Sequence, residues 1–149
     1  MKTNKLLFLI TFFALLNCFF AFAQAEADQI IGDWLTTNGR SKVHIYKSNN
    51  KYFGKISWLK EPEENGKPKV DKNNTDPKKR NNPLIGLNLL RNFVYYKNNV
   101  WEDGNIYDPE NGKDYSCKMT LTDKNTLEVR GYIGFSLIGR TVIWKRITN

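Results

Sequence analysis

The sequence has few of the side chains that bind metals or act as nucleophiles. Its 149 residues include two cysteines and one histidine, His44. Zinc and copper sites need clusters of cysteine and histidine, and a lone histidine on a strand is more often hydrogen-bonded than catalytic. The segment 134–139 holds a serine between glycines, but the glycine spacing differs from that of a nucleophile elbow. We therefore expect no metal, no cofactor and no enzymatic activity.

A dense block of like charge is also absent. The formal net charge is +8, from 23 basic and 15 acidic residues, and the charges are spread through the chain. Even the most lysine-rich stretch, residues 61–80, holds six basic and five acidic residues. Arms that bind nucleic acid carry one sign of charge over a long run. The sequence thus argues against nucleic acid as a partner and is compatible with weak, peripheral attraction to anionic lipid head groups or glycans.

The first 23 residues have the pattern of a secretory signal peptide. Lys2 and Lys5 precede the apolar run 6–22, and the run ends in Ala21-Phe22-Ala23. A basic start, an apolar centre and a small-x-small exit predict cleavage before Gln24. The mature chain, residues 24–149, would then be a single domain with a net charge of +6, located in the periplasm or secreted.

Two alternatives to cleavage are an uncleaved membrane anchor and a lipid anchor. The apolar run covers 17 residues, at the short edge of what spans a bilayer. Cys18 lies within it, but Asn17 stands where a lipidated cysteine is preceded by a small residue. Cleavage would leave Cys117 as the one cysteine, and no internal disulfide could form. Cys117 alternates with polar neighbours, which predicts a buried thiol.

Short runs rich in Val, Ile, Tyr, Trp and Thr alternate with turn signals along the mature chain. They predict eight strands, at residues 30–36, 43–47, 52–59, 92–96, 100–107, 114–122, 126–133 and 140–147. Tight connections between successive strands favour an up-and-down antiparallel meander. Eight such strands can close into a β-barrel that holds side chains or one small ligand. The predicted fold class is therefore all-β.

One long connection, residues 60–91, interrupts the hairpins and contains four prolines. Its apolar segment 83–90 predicts one or two helical turns. Connections of this length are often functional, so the segment is either a lid over one end of the barrel or a helical plug for the core. Arg80 is either a contact for an anionic ligand or, as we favour, a latch that bonds an acidic residue on a strand.

Aromatic residues on the strands are candidates for a ligand cavity. Trp58, Tyr107, Tyr115 and Tyr132 are the proposed lining, with Arg130 as a partner for a carboxylate or phosphate head. Core packing is the ordinary role of buried rings, so these assignments are hypotheses that depend on a hollow barrel.

Gly32-Asp33-Trp34 on the first strand, together with an arginine on the last, resembles the lipocalin/calycin signature. The resemblance implies that this arginine packs across Trp34 at the closed end of a barrel. Arg140 and Arg146 both qualify, and we favour Arg140. Gly32, Trp34 and Trp144 are likewise expected to have structural roles.

At greater length, the chain resembles an uncharacterised exported bacterial family, "domain of unknown function 2147". The motifs that carry the resemblance lie at residues 71–74, 76–80, 83–87, 101, 104, 106–109, 111–113, 115, 127–134, 139–141 and 144. Thr75 departs from the family pattern, which usually has proline there. The resemblance implies a lipocalin-like barrel in the bacterial envelope and no established activity.

The function expected from these observations is the binding of a small, partly apolar ligand in the barrel mouth, without catalysis. The second hypothesis is an interaction module, a filled barrel that contacts an envelope partner. An enzyme acting on a lipid or glycan is the third. Cavity volume separates the first two, because sites for small ligands occupy about 300 Å³ or more.

Overall fold

The computed structural model describes residues 25–134 and 138–147. Ten strands run along this part of the chain: β1 (Gly32–Leu35), β2 (Ser41–Ser48), β3 (Lys51–Leu59), β4 (Glu63–Glu64), β5 (Lys67–Pro68), β6 (Asn88–Lys97), β7 (Val100–Asp108), β8 (Lys113–Asp123), β9 (Thr126–Tyr132) and β10 (Gly139–Arg146). Eight of them close an antiparallel barrel in the order β1-β10-β9-β8-β7-β6-β3-β2, and β4 and β5 form a separate hairpin. The predicted eight-stranded meander is confirmed.

The two ends of the barrel differ in their connections. At one end, tight turns join β2 to β3, β6 to β7 and β8 to β9, and the residues before β1 also lie there. The first two turns are Asn-Asn pairs with positive φ at all four residues, a conformation that asparagine tolerates and that suits two-residue hairpins. We call this the closed end. The opposite, open end carries the longer β1–β2, β3–β6, β7–β8 and β9–β10 connections.

Large side chains fill the closed half of the barrel. Trp34, Trp101, Tyr52 and Phe93 are at most 2 % exposed, and the indole of Trp101 donates to the Ala27 carbonyl at 3.2 Å. This bond ties the segment before β1 across the closed end. The packing leaves no spare room, since a Cβ added at Gly104 would lie 2.4 Å from the Phe93 ring.

Cys117 is part of this core. Its side chain is fully buried on β8, as the alternation of the strand predicted. Burial raises the pKa of the Cys117 thiol to about 12, because a thiolate would lose its hydration there. The thiol is therefore inert at neutral pH.

Arg146 covers Trp34 at the closed end. Its guanidinium lies 4.2 Å from the centroid of the Trp34 ring, and the two residues are partners across β1 and β10. Gly32 provides the space: its φ is +132°, and a Cβ there would lie 3.0 Å from the Arg146 Nη1. Burial lowers the pKa of Arg146, although the group stays charged at physiological pH.

The prediction that Arg140 covers Trp34 is therefore wrong, and the alternative residue has this role. β10 runs from the open end to the closed end and is antiparallel to β1, so Trp34 on β1 faces Arg146, the last residue of β10. Arg140 lies six residues earlier on the strand, roughly 20 Å away at the rise of an extended chain. Trp144 is 4 % exposed and lies opposite Leu127 in the core.

The long β3–β6 connection packs against the outer wall of the barrel. Asp71 in this loop is fully buried, and its carboxylate accepts hydrogen bonds from the Tyr107 hydroxyl at 2.7 Å and the Asn74 amide at 2.6 Å. Ile106 faces the interior opposite Leu90, so Tyr107, the next residue, faces outward. The Arg91 guanidinium lies 6.0 Å from the Tyr107 ring. We call the Asp71–Tyr107 pair the loop latch.

Two predictions about this loop need correction. The predicted helical turns at 83–90 are wrong. Leu89 and Leu90 lie in β6, where both side chains are buried. The short helix of the loop is a 3-10 turn at Pro77–Lys79. Arg80 does not bond an acid on a strand. Its Nε donates to the Asn74 carbonyl at 2.8 Å, within the loop. The loop is held instead by its own acid, Asp71, bonded to a strand tyrosine.

Candidate functional site

A cavity of about 580 Å³ occupies the open half of the barrel. Its lining comes from β7 to β10 and from the connections at their open ends. The long loop contributes no residue to this lining, so residues 60–87 are neither a lid over the cavity nor a helical plug inside it. The barrel is thus filled at one end and hollow at the other.

The deep part of the cavity is apolar because of the alternation of the strands. Val129 on β9 and Val142 on β10 are register partners and both line the cavity. Ile106 reaches it from β7, beside Gly131 on β9. A Cβ added at Gly131 would lie 3.4 Å from the Ile106 Cγ2. Any larger side chain there would occupy the cavity, so glycine keeps this space open.

Polar groups surround the outer part of the cavity. Arg140 is the register partner of Gly131 and lies two residues before Val142, so it shares the inward face of β10. Across the mouth, the Asn111 amide donates to the Tyr115 hydroxyl at 3.0 Å and to the Asp108 carboxylate at 2.9 Å. The mouth therefore presents a guanidinium on one side and a hydrogen-bonded cluster on the other.

Two of the five residues suggested by the sequence line this cavity, Tyr115 and Tyr132. Tyr107 lies on the outer wall, where burial and the bond to Asp71 raise the pKa of its hydroxyl to about 12. Trp58 is 38 % exposed near the open end of β3, and the Lys42 ammonium lies 5.1 Å from its ring centroid. Neither side chain belongs to the lining.

Arg130 also lies outside the cavity. Its Nη1 donates to the Thr141 hydroxyl at 3.0 Å, and it borders a separate groove of about 220 Å³ with Glu102, Lys118 and Tyr132. Of the two arginines, Arg140 is therefore the one placed to meet a ligand in the barrel. The signal in the sequence was its spacing from Val142 and Trp144, since side chains two residues apart on a strand share a face.

The described part of the chain offers no group of three or more His, Cys, Asp or Glu residues that could hold a metal ion. His44 lies at the surface of β2, with its Nδ1 3.0 Å from the Asp33 carboxylate. Within residues 25–134 and 138–147, there is no helix with the length and apolar character needed to span a membrane.

A solved structure shares this fold. The Helicobacter pylori protein HP1028, described as belonging to the lipocalin family, superimposes with a TM-score of 0.71 at 23 % sequence identity. The match covers 80 % of this chain and 84 % of the H. pylori protein. At this identity the likeness concerns the fold alone, and it confirms that the barrel is lipocalin-like.

Sequence comparison gives the family. No curated protein sequence matches the chain. The model of a family described as uncharacterized proteins conserved in bacteria, DUF2147, matches residues 32–146, which is the whole barrel from the first residue of β1 to the last of β10. This protein therefore belongs to the DUF2147 family.

Proposed function

We propose that this protein is a non-enzymatic binding protein that takes a small, partly apolar ligand into the open half of its barrel. The observation that carries the proposal is the cavity of about 580 Å³ above a filled core. Sites for small molecules occupy about 300–1,000 Å³ and combine apolar walls with a few polar groups. An interaction module would have no need of this space.

The lining favours an amphipathic ligand with an anionic head. Val129, Val142 and Ile106 offer an apolar surface below the mouth, and Arg140 offers a cation at the mouth. An arginine binds a carboxylate or phosphate through paired hydrogen bonds. The Tyr115 hydroxyl and its partners add donors and acceptors for a polar group beside the head.

The experiment is a titration of fatty acids and lysophospholipids into delipidated protein, followed by the melting temperature. A ligand present at a hundred times its dissociation constant should stabilise the fold by about 2.7 kcal/mol. Gly131→Leu should abolish the shift, because its side chain would fill the cavity. Arg140→Gln should weaken binding of anionic ligands about tenfold, whereas Arg130→Gln, the same change on the outer face, should leave it unaltered.

Two results would contradict the proposal. If no amphiphile raises the melting temperature, the cavity is not a site for ligands of this class. If Gly131→Leu binds a ligand as tightly as the parent protein, binding occurs elsewhere. In either case the interaction module becomes the better account of the protein.

We also infer that the protein is exported. The support is the signal-peptide pattern at residues 1–23, which lie outside the described residues. The intact mass of the protein recovered from the periplasm or the medium should correspond to a chain that begins at Gln24. A mature chain that begins with an acylated Cys18 would instead indicate a lipid-anchored protein.

A further inference from the structure

Closure of the barrel collects positive charge on one side of the molecule. Residues 34–60, which include most of β1 and all of β2 and β3, hold six basic residues and no acidic one. Residues 139–147, which include β10, hold three basic residues and no acidic one. These strands are consecutive neighbours in the barrel. Asp33, beside His44, is the one acid on them.

Four of these cations lie at the open end: Arg40, Lys42, Lys60 and Arg140. The backbone amide of Lys60 donates to the Arg40 carbonyl at 2.8 Å, and Lys42 lies over Trp58. Arg140 is the second residue of β10, which lies on the other side of β1. The strands that carry them span an arc of about 15 Å, at about 4.8 Å per strand spacing. We call these four residues the basic rim.

Apolar side chains project from the same end. The described residues expose seven large apolar side chains, and four of these are at the open end: Trp58, Ile85, Ile133 and Ile138. Ile133 and Ile138 are 67 % and 71 % exposed. They are joined by a backbone hydrogen bond and also border the cavity. Residues this exposed and apolar, placed among cations, indicate a surface for a partner.

The acidic residues next to the basic rim are in the loop that follows β3. Glu61 and Glu64 are paired with Lys69 and Lys72 of the same loop, and Glu63 lies between them in β4. Asp108, Glu110 and Asp114 lie around the β7–β8 turn, on the far side of the barrel from β1. The strands β10, β1, β2 and β3 are therefore the positive side of the barrel, and the carboxylates of the β7–β8 turn lie across the mouth from it.

We propose that the basic rim docks on the surface of an anionic lipid bilayer, with Ile133 and Ile138 entering the head-group layer. Cations of the rim then meet lipid phosphates, and each basic residue near an anionic membrane raises the partition constant about fivefold. Trp58 under Lys42 is the combination of ring and cation that is favoured at membrane interfaces. Lipid supplies both a negative surface and an apolar layer beneath it, which an acidic soluble partner does not.

Docking in this orientation places the β9–β10 side of the cavity mouth against the bilayer. Ile133 and Ile138 border the cavity and also make the membrane contact, so an amphiphile would pass from the membrane to the barrel along apolar surface. Docking depends on the cations of the basic rim and on the two isoleucines, so it does not require a ligand in the cavity.

The test is flotation of the protein with lipid vesicles. The described residues close the barrel by themselves, so the chain from Gln24 onward is used, without the apolar leader that would itself bind lipid. The protein should float with vesicles of phosphatidylcholine mixed with phosphatidylglycerol and not with phosphatidylcholine alone. Binding should fall when the ionic strength rises from about 0.1 M to about 1 M, because the Debye length shrinks from about 10 Å to about 3 Å.

Matched variants locate the contact. Lys42→Gln with Lys60→Gln should lower the partition constant about 25-fold, at about fivefold for each cation. Lys78→Gln with Lys79→Gln makes the same change of charge on the loop, outside the rim, and should have little effect. Ile133→Ser with Ile138→Ser should also weaken binding, and its melting temperature should match that of the parent because both side chains are exposed.

Three results would overturn the docking proposal. If the two lysine double variants lose equal amounts of vesicle binding, the attraction depends on net charge alone and not on the basic rim. If the protein binds vesicles of phosphatidylcholine alone as well as it binds the anionic mixture, the cations of the rim do not contribute to docking. Binding to a soluble anionic polymer such as heparin, without flotation on vesicles, would identify a glycan as the partner. The ligand titration is read separately, so failure of docking and failure of ligand binding are distinguishable.

Discussion

Replacing Arg146 with alanine should lower the free energy of unfolding by about 3 kcal/mol. The guanidinium lies 4.2 Å from the centroid of the fully buried Trp34 ring, and such a cation–π contact contributes roughly 1 kcal/mol. Arg146 also donates three hydrogen bonds, to the carbonyls of Gln29, Ile31 and Lys124. Water can replace the donor at these partly exposed carbonyls, so each bond contributes about 0.7 kcal/mol rather than the value for a buried charged pair.

The assay is urea unfolding followed by tryptophan fluorescence, with the melting temperature as a second measure. A loss of this size corresponds to a decrease of about 10 °C in a domain of this length. The matched control is Arg140→Ala on the same strand, whose exposed side chain should cost less than about 0.5 kcal/mol. If the two variants unfold at the same urea concentration, or if Arg140→Ala is the less stable, the proposed role of Arg146 at the closed end is wrong.

Four further predictions concern the loop, the core and pH. Tyr107→Phe leaves the buried Asp71 carboxylate without one of its donors, which should cost about 1–3 kcal/mol and speed protease cutting within residues 60–87; unchanged cutting would mean that the latch does not hold the loop. Cys117 should resist alkylation at about pH 8 in the native protein and react once urea unfolds it; rapid labelling of the native form would contradict its burial. The folded state raises the pKa of both Tyr107 and Cys117 to about 12, so it holds their protons more tightly than the unfolded chain does. The contribution of these two groups to stability should therefore be constant below about pH 9 and fall from there to about pH 12; an unfolding free energy that stays constant between about pH 9 and pH 12 in urea titrations would refute this. Gly104→Ala should cost about 1–3 kcal/mol through a clash with the Phe93 ring, and a parental melting temperature would show that the ring can move aside.

The strands could be predicted because their patterns are local. Alternation of apolar and polar residues identified each strand of the barrel, and Asn-Asn and Gly-containing turns marked their ends. The prediction that Arg140 covers Trp34 was wrong, although the predicted topology already pointed to Arg146. In an antiparallel pair the start of β1 must face the end of β10, so Arg146, and not Arg140, is the residue in reach.

Other features depended on contacts between distant parts of the chain. Tyr107 looked like a cavity residue because it is aromatic on a strand, but it is buried on the outer face by a loop residue 36 positions away. Alternation of apolar and polar residues indicates which side chains face the interior of a barrel. It does not indicate which outward side chains a loop covers. The one-sided charge was hidden in the same way: basic residues near both ends of the chain become neighbours when β10 pairs with β1. The cavity, too, depends on a distant contact. Gly131 leaves space next to Ile106, and the sequence does not show that these two residues are neighbours.

The eight barrel strands form a closed ring because β1 pairs with β10. A segment of the chain connects every pair of neighbouring strands in this ring except β1 and β10. The residues before β1 and after β10 meet at the closed end. There the Arg146 guanidinium donates to the Gln29 carbonyl, and the Ile147 amide donates to the Asp33 carbonyl. A short linker from residue 147 to residue 25 would therefore permit circular permutation. New chain ends could be placed in the Asn98-Asn99 turn, also at the closed end, at the loss of one hairpin link. Every strand would keep its neighbours, and both new termini would lie away from the cavity mouth.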